Sequence, residues 1–264
     1  MVTGASRGIG RATAMALAAD GLDLVITARA TDGTSTYLGT HRDDPAAGMQ
    51  QVGSLQETVE QCRALGADVT AIEMDLTDRA SVERAAGLAL AAFGRVDVVV
   101  SCARYRGPGL DDAALGVPVD LVERILTANA LHPLLLFQRL LPPMVERGDG
   151  AVVHLTSVSA TDDPTEPGAW GVGSAMGRAA AHRIIGVLHA EVGGAGVCCY
   201  NVNPGRVSGG IHPPPTELVG RVPASGSPEF VAATIAWLVD GSAEARALAG
   251  TEVMARRRDH RPTV

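Results

Sequence analysis

The chain opens on the glycine-rich stretch TGASRGIG, which occupies Thr3–Gly10 of its 264 residues. A short apolar segment precedes this stretch and an amphipathic segment, 8–19, follows it, so the glycines fall between a strand and a helix. The first N–H groups of such a helix lack intrahelical partners and point at an anion. Glycine lets the backbone turn tightly there. The stretch predicts a phosphate-binding loop; an ordinary turn with glycines for packing is the alternative.

Downstream of that loop, short apolar runs alternate with longer amphipathic ones. Strands are predicted at 22–27, 69–74, 96–100, 151–155 and 197–202, and helices at 8–19, 54–65, 79–93, 121–146 and 169–192. Strand alternating with helix predicts an α/β fold: a doubly wound parallel sheet with helices on both faces and right-handed crossovers. We therefore predict a single Rossmann-type domain over 1–264, with the glycine loop holding a dinucleotide pyrophosphate.

Three segments depart from this alternation. The polar, Gly-rich segment 31–52 predicts a surface loop. The proline-rich segment 208–227 follows a strand, at the sheet edge where ligands bind in open α/β folds, and predicts a substrate loop. Residues 255–264 contain three consecutive arginines and predict a flexible, solvated tail.

Composition narrows the range of partners. A net charge of −7 argues against nucleic acid or an anionic membrane as a main partner, and a small-molecule substrate is predicted instead. No apolar run is long enough to span a bilayer, and we predict a cytoplasmic protein without a signal peptide. The spacing of the four cysteines fits neither a disulfide framework nor a zinc site, and no metal is predicted. All 22 basic residues are arginines.

The spacing Gly4-x-x-x-Gly8-x-Gly10 resembles the signature of the short-chain dehydrogenase/reductase family, and the resemblance extends over nearly the whole chain. It implies catalytic roles for Asn129 and for Ser157, which follows the predicted strand 151–155. It also implies that Asp75 and Leu76 hold the adenine, and that Asn203-Pro204-Gly205 is the turn beside the nicotinamide. The cofactor-binding residues implied are Gly4, Ser6, Arg7, Gly8, Ile9, Gly10, Asp75, Leu76, Ala103, Pro204 and Gly205.

The residue after the second predicted strand, Arg29, bears on the choice of cofactor. In the family an acidic residue at this point holds the ribose 2′-hydroxyl of NAD, whereas an arginine suits a 2′-phosphate by charge and bidentate geometry. Arg7, inside the glycine loop, adds a second cation. We predict NADP in preference to NAD; two surface arginines without a ligand are the alternative.

The predicted catalytic residues depart from the family pattern. Its reductases use a Tyr-x-x-x-Lys pair, and the register from Ser157 places Trp170 and Ser174 at those positions. An indole N–H donates a hydrogen bond but is not a usable acid, and a serine carries no charge that could lower the pKa of a neighbour. Tyr105 is a candidate acid in its place, whereas Tyr200 is expected in the core.

Two arginines near these positions are ambiguous. Arg104 stands where the family keeps a glycine against the cofactor, and either crowds the nicotinamide or turns outward to supply a cation to an acidic ligand. Arg178 lies one turn beyond Ser174, and facing the same way as Ser174 is one alternative. We expect it instead to face a partner subunit or solvent, because its helix is an oligomer contact in the family. A homotetramer or a homodimer, formed through the helices 121–146 and 169–192, is what the resemblance implies.

Three functions are compatible with a glycine loop that fits the family and catalytic positions that depart from it. The first, to which we commit, is an NADP-binding oxidoreductase of carbonyl or alcohol substrates with an altered proton path. The second is a pseudoenzyme that has lost turnover. The third is a non-redox enzyme, such as a cyclase, isomerase or dehydratase, on the same scaffold, since a fold does not fix a function.

Overall fold

A seven-stranded parallel sheet forms the centre of the molecule. The computed structural model describes residues 1–32, 38–40, 47–48, 53–165, 169–207 and 224–255. In space the sheet order is β3-β2-β1-β4-β5-β6-β9, so the chain winds outward from β1 in both directions. The strands are β1 Val2–Thr3, β2 Leu24–Ala28, β3 Val69–Glu73, β4 Val98–Ser101, β5 Gly150–Leu155, β6 Val197–Asn203 and β9 Glu252–Met254. The predicted doubly wound α/β fold is confirmed.

Helices cover both faces of the sheet. They are α1 Gly8–Ala19, α2 Leu55–Ala64, α3 Arg79–Phe93, α4 Val119–Leu126, α5 His132–Arg147, α6 Val172–Val192, α7 Pro228–Leu238 and the short α8 Ala243–Arg246. On one face α1 packs against α2 and α7, and on the other α3 packs against α5 and α4 against α6. Each face has its own apolar cluster of mainly aliphatic side chains. The chain therefore uses the two-faced sheet that its alternating pattern predicts.

Helix boundaries follow local capping chemistry. The Ser54 Oγ accepts a hydrogen bond from the N–H of Glu57 at 3.0 Å at the start of α2. Asp78 Oδ1 accepts from the N–H of Ala80 at 2.9 Å at the start of α3. Such caps satisfy backbone donors that have no partner inside the helix. Gly94 ends α3 in the left-handed region, at φ +71°.

The helical stretch predicted over 121–146 is helical throughout in the structure, from Val119 to Arg147, but its type changes in the middle. A π-helical turn, Thr127–Leu131, separates α4 from α5. The widened turn contains Asn129, and Pro133 lies in the first turn of α5, where a missing N–H is tolerated. Helical periodicity alone did not mark this turn, which is of the kind often found at functional sites.

Several elements at the C-terminal end of the chain had no counterpart among the predictions. They are α7, α8, the edge strand β9, and a two-stranded parallel ribbon of β7 Arg206–Val207 and β8 Ala224–Gly226. Of the predicted substrate loop 208–227, residues 208–223 lie outside the described part of the chain. Most of the predicted surface loop 31–52 and residues 256–264 of the predicted tail also lie outside it.

Some described residues within those segments are buried, among them Thr40 and Ala255. Thr40 belongs to the segment predicted as a surface loop, yet its carbonyl accepts a hydrogen bond from the N–H of Asp111. Ala255, the first residue of the predicted tail, is 1% exposed and donates its N–H to the carbonyl of Asn203. Both are fixed by backbone hydrogen bonds, which a hydropathy pattern does not show.

Candidate active site

The glycine loop is built by backbone contacts that exclude side chains. A Cβ added to Gly4, whose φ is +69°, would lie 2.8 Å from the Cα of Ala103. A Cβ on Gly10 would overlap the carbonyl oxygen of Gly4. Thr3 Oγ1 accepts hydrogen bonds from the N–H groups of Cys102, at 3.1 Å, and Ala103, at 3.0 Å. The loop and the end of β4 are thereby joined into one rigid backbone surface.

The start of α1 carries unused hydrogen-bonding capacity. Arg7 precedes the helix and gives it no side-chain cap, and no acidic residue lies in its first turn. The Arg7 Nη1 is buried and has no hydrogen-bond partner in the described part of the chain. Burial lowers the pKa of this guanidinium, and the neighbouring charges of Arg106 and Arg29 lower it further. Free helix N–H groups beside an uncompensated cation suit the pyrophosphate of a dinucleotide.

The other residues predicted at the dinucleotide lie around this loop. Ile9 packs against the apolar cluster on the α1 face of the sheet, and the backbone of Ser6 packs against Gly53. Asp75 follows β3, and its Oδ1 accepts hydrogen bonds from both the N–H and the Oγ1 of Thr77 at 2.8 Å. Leu76 is 7% exposed, so its side chain belongs to the core. Because β3 neighbours β2, which ends beside Arg29, these residues share one edge of the sheet.

Asn129 holds the segment that follows β4. Its Oδ1 accepts a hydrogen bond from the N–H of Tyr105 at 2.6 Å, and its Nδ2 donates to the carbonyl of Tyr105 at 3.2 Å. This bidentate contact fixes the backbone between Arg104 and Arg106. The structure therefore gives Asn129, predicted as catalytic, a positioning contact.

Ser157 lies two residues beyond β5, at the carboxyl edge of the sheet. Its Oγ lies 3.1 Å from the Oγ of Ser159 and accepts the N–H of the same residue at 3.3 Å. A hydroxyl has one donor and two acceptor positions. When the Ser159 hydroxyl donates to it, the Ser157 proton is free to bind a carbonyl oxygen.

Trp170 and Ser174 occupy the start of α6. The Nε1 of Trp170, the residue predicted at the family's tyrosine position, is buried with no hydrogen-bond partner among the described residues. The N–H of Ser174 donates to the carbonyl of Leu110 at 2.9 Å. A Cβ on Gly171 would lie 2.5 Å from the backbone of Asp111, so the helix start packs tightly on the segment after β4.

Arg178 faces inward, and the expectation that it faces a partner subunit or solvent is wrong. Its Nη1 donates to the carbonyl of Leu155, the last residue of β5, at 2.7 Å. Burial, followed by the charge of Arg106, lowers the pKa of Arg178 to about 10. Desolvation by the surrounding protein atoms, followed by the charges of Arg178 and Arg106, lowers the pKa of Arg104, and the charge of Asp111 opposes them, although the side chain keeps contact with solvent.

The two candidate tyrosines are both buried. Tyr105 is 8% exposed and belongs to the apolar cluster on the α3 face, which weakens its candidacy as an acid. Tyr200 is 1% exposed and donates its hydroxyl to the carbonyl of Ala245 at 3.1 Å, as expected of a core residue.

Sequence reasoning missed two groups of residues near the site. Arg106, two residues beyond Arg104, was not predicted as a site residue. Its charge lowers the pKa of both Arg7 and Arg178. The other group is a polar cluster under α6, in which His182 Nδ1 lies 3.0 Å from Thr156 Oγ1 and 3.7 Å from Glu252 Oε2. These residues are far apart in the sequence, and no sequence pattern indicated that they are in contact.

Asn203, Pro204 and Gly205, the turn predicted beside the nicotinamide, begin at the last residue of β6. Gly205 donates its N–H to the Oδ1 of Asn203 at 3.0 Å, and the Nδ2 of Asn203 donates to Glu252 Oε1 at 2.8 Å. Pro204 lies between them, half-buried. The cysteines at 62, 102, 198 and 199 are all free. Within the described residues, no helix has the length and apolar character needed to cross a bilayer.

Comparison with known proteins places this arrangement in a family. Residues 44–214 match the short chain dehydrogenase family. L-rhamnose 1-dehydrogenase (NAD(P)(+)) from Sphingomonas sp. is 31% identical over 208 residues, which cover 78% of this chain and 71% of that protein. A metagenomic short-chain oxidoreductase solved with NADP superposes with a TM-score of 0.73 at 22% identity, over 100% of this chain and 96% of that one. A short chain dehydrogenase from Mycobacterium paratuberculosis bound to NAD gives a TM-score of 0.74 at 21% identity, over 97% and 95% of the two chains. The chain belongs to the short chain dehydrogenase family of oxidoreductases.

Proposed function

We propose that this protein binds NADP and reduces or oxidises a carbonyl or alcohol substrate through an altered proton path. The observation that carries the proposal is the glycine loop with its uncapped helix start and the buried, unpartnered Nη1 of Arg7. A buried guanidinium nitrogen with no partner among the described residues is costly to keep, so a bound phosphate is a physical reason for its presence.

The preference for NADP rests on the arginines. Arg7, Arg29 and Arg106 are close enough for the charges of the latter two to lower the pKa of Arg7. A 2′-phosphate adds negative charge where NAD carries a neutral hydroxyl, and guanidinium groups bind phosphate in a bidentate manner. The solved neighbours include one protein with NADP and one with NAD, so the support comes from this chain's own residues.

The chain's own groups can orient a carbonyl without supplying an acid. NADPH, when bound, supplies the hydride. The Ser157 hydroxyl and the Trp170 indole N–H are donors for the carbonyl oxygen, and neither releases a proton readily. Tyr105 is held in the apolar cluster, which favours water as the source of the proton. Proton transfer by a positioned side chain contributes about 10²–10⁴-fold, so turnover is expected to be slow.

Consumption of NADPH tests this proposal. We expect slow oxidation of NADPH with at least some members of a panel of aldehydes and ketones, and loss of that rate in Ser157→Ala. Thr161→Ala removes an exposed hydroxyl from the same turn and serves as the matched control, with its rate unchanged. A chain that binds NADPH and oxidises none of it across the panel would contradict the proposal.

That contradicting result would favour the second candidate, a pseudoenzyme. The observation behind this candidate is the joint replacement of the family's tyrosine and lysine by Trp170 and Ser174. A pseudoenzyme keeps the fold and the dinucleotide site while acting through assembly. NADPH turnover that disappears in Ser157→Ala excludes it.

Assembly into a homo-oligomer is also part of the proposal. Met176 and Val187 are exposed large apolar side chains on α6, eleven residues or three helical turns apart, so they lie on one face. Leu131, before α5, is also exposed. Exposed apolar side chains on the helices expected at the interface support a homodimer or homotetramer. Light scattering of the purified chain measures its mass, and a monomer at micromolar concentration would contradict this part.

A further inference from the structure

Three arginines converge at the end of the cleft that contains Ser157. Arg178 lies on α6, and its Nη1 reaches the carbonyl of Leu155 at 2.7 Å, two residues before Ser157. Arg104 and Arg106 lie on the segment after β4, directly beyond the Ala103 that contacts Gly4. Asn129, which binds the backbone of Tyr105 between Arg104 and Arg106, packs against Gly177, the residue before Arg178. The charges of the three arginines act on one another, as expected from this packing. We refer to Arg104, Arg106 and Arg178 as the arginine cluster.

The backbone that carries the cluster is fixed at both ends. Asn129 binds the N–H and the carbonyl of Tyr105, between Arg104 and Arg106. Further along, the carbonyl of Leu110 accepts the N–H of Ser174 on α6. These contacts hold the backbone that carries Arg104 and Arg106 beside α6. The proximity of the three like charges therefore follows from how the backbone packs.

The cluster has little compensation from protein groups. The Nε of Arg106 is buried with no hydrogen-bond partner, and among the described residues no carboxylate forms an ion pair with any of the three. Asp111 is the nearby acid that acts on Arg104. The neighbouring charges lower the pKa values of Arg104 and Arg178, but guanidinium groups stay protonated at neutral pH. Within the described ranges, three guanidinium groups act on one another while Asp111 is the one carboxylate that acts on Arg104, so the charge balance among these groups is positive.

We propose that the arginine cluster is an anion-binding subsite for the substrate, so that the protein acts on a carbonyl or alcohol that carries a carboxylate or another acidic group. The inference rests on the proposed function for the identity of the reacting group. Planar guanidinium groups bind carboxylates in a bidentate manner. The cofactor's phosphates are a second source of negative charge, but the proposed function assigns them to Arg7 and Arg29 beside the glycine loop. Arg104 and Arg178 lie on the side of Ser157 and Trp170, where the reacting end of a substrate belongs.

Calorimetric titration of the NADP⁺-saturated full chain with benzoate, and with neutral benzamide as its uncharged match, tests the subsite. We expect benzoate to bind about tenfold or more tightly than benzamide. Arg178→Gln and Arg104→Gln are each expected to weaken benzoate by about tenfold, while leaving the Kd of NADP⁺ within about threefold. Arg178→Lys keeps the charge and is expected to restore part of the binding. Arg84→Gln, an exposed arginine on α3, is the matched control and is expected to change neither ligand.

Two results would overturn the subsite. In the first, benzoate binds no better than benzamide, or loses affinity equally in Arg84→Gln. In the second, benzoate competes with NADP⁺ and the variants of Arg104 and Arg178 weaken NADP⁺ by about tenfold, which assigns the cluster to the dinucleotide. Absence of NADP⁺ binding in the wild type is a failure of the proposed function instead. In that case benzoate titration of the cofactor-free chain still tests the subsite. Loss of benzoate affinity in Arg178→Gln but not in Arg29→Gln places the anion at the arginine cluster.

Discussion

The two ends of the cleft differ in what they are made of. The dinucleotide end is built from backbone, with glycines that pack against Ala103 and against one another. The end that we propose for proton transfer is built from side chains, and there the register from Ser157 predicts Trp170 and Ser174 in place of the family's tyrosine and lysine. At Gly10 a side chain would overlap the carbonyl of Gly4, so the backbone itself restricts which residue can stand there. The glycine loop therefore bears on binding, whereas turnover depends on the side chains at the other end.

The largest expected effect comes from rebuilding the proton-transfer end. The double variant Trp170→Tyr with Ser174→Lys restores an acid and a charge that lowers its pKa. We expect the rate of NADPH oxidation on an active carbonyl to rise by about 10²–10⁴-fold. Trp170→Tyr alone is the control and is expected to gain less, because its pKa stays near that of an ordinary tyrosine. An unchanged rate in the double variant would show that the cleft beyond these two positions has also diverged.

The next effect is expected at the dinucleotide end. Gly10→Ala forces a methyl group against the carbonyl of Gly4, and overpacking of this kind costs about 1–3 kcal/mol. We expect the Kd of NADPH, measured by fluorescence titration, to rise by about tenfold to a hundredfold. Gly87→Ala is the matched control, since a Cβ there meets nothing within 4 Å and the position is helical. Equal NADPH binding in both variants would remove the steric reason for glycine in the loop.

A smaller effect is expected from the buried side chain of His154, whose pKa is lowered in part by Arg178. His154 on β5 is 5% exposed, neither ring nitrogen has a hydrogen-bond partner among the described residues, and burial together with Arg178 and His182 lowers its pKa to about 3. The unfolded chain takes up a proton near pH 6.5, whereas the folded chain does not until about pH 3. Stability is therefore full above pH 6.5 and falls as the pH drops toward 3.

Urea unfolding of the wild type and of His154→Leu measures this effect. Between pH 7.5 and pH 5.0 this histidine alone is expected to cost the wild type about 2 kcal/mol of unfolding free energy. The variant lacks that cost, so the unfolding free energy of the wild type minus that of the variant should be lower by that amount at pH 5.0 than at pH 7.5. A difference that is the same at both pH values would mean that His154 is protonated in the folded chain.

The smallest effect concerns the choice of dinucleotide. Arg29→Gln removes the cation that follows β2. We expect NADPH to bind about tenfold more weakly and NADH to be unaffected, because only NADPH carries the 2′-phosphate. Arg84→Gln removes an exposed charge from α3 and should leave both affinities unchanged. Equal losses for the two dinucleotides would assign Arg29 to a structural contact.

Much of the fold could be predicted from sequence because it depends on periodicity. The predicted bounds of α1 and α3 agree with the structure, and β5 differs by one residue at its start. Periodicity did not reveal the π turn around Asn129, since one extra residue in a turn leaves apolar spacing almost unchanged. It also gave no sign of α7, whose sequence is apolar on nearly every face and which packs against α1.

The site was less predictable because it depends on contacts between distant segments. The glycine loop and Ser157 are placed by strand order alone. The inward orientation of the Arg178 side chain could not be predicted in this way. Helical spacing puts Arg178 on the same face of α6 as Ser174, but it does not show which face of α6 packs against the sheet. Likewise, the approach of Arg106 to Arg7 joins residues nearly a hundred positions apart and follows from the rigid contact of Gly4 with Ala103.

The central claim is that the dinucleotide end works independently of the altered proton-transfer end. Calorimetric titration with NADPH of the wild type beside Trp170→Tyr with Ser174→Lys tests it most directly. We predict one NADPH bound per chain in both proteins, with Kd values that agree within about threefold. A wild type that binds no NADPH, beside a double variant that binds it, would show that the two ends are not independent and would contradict this account.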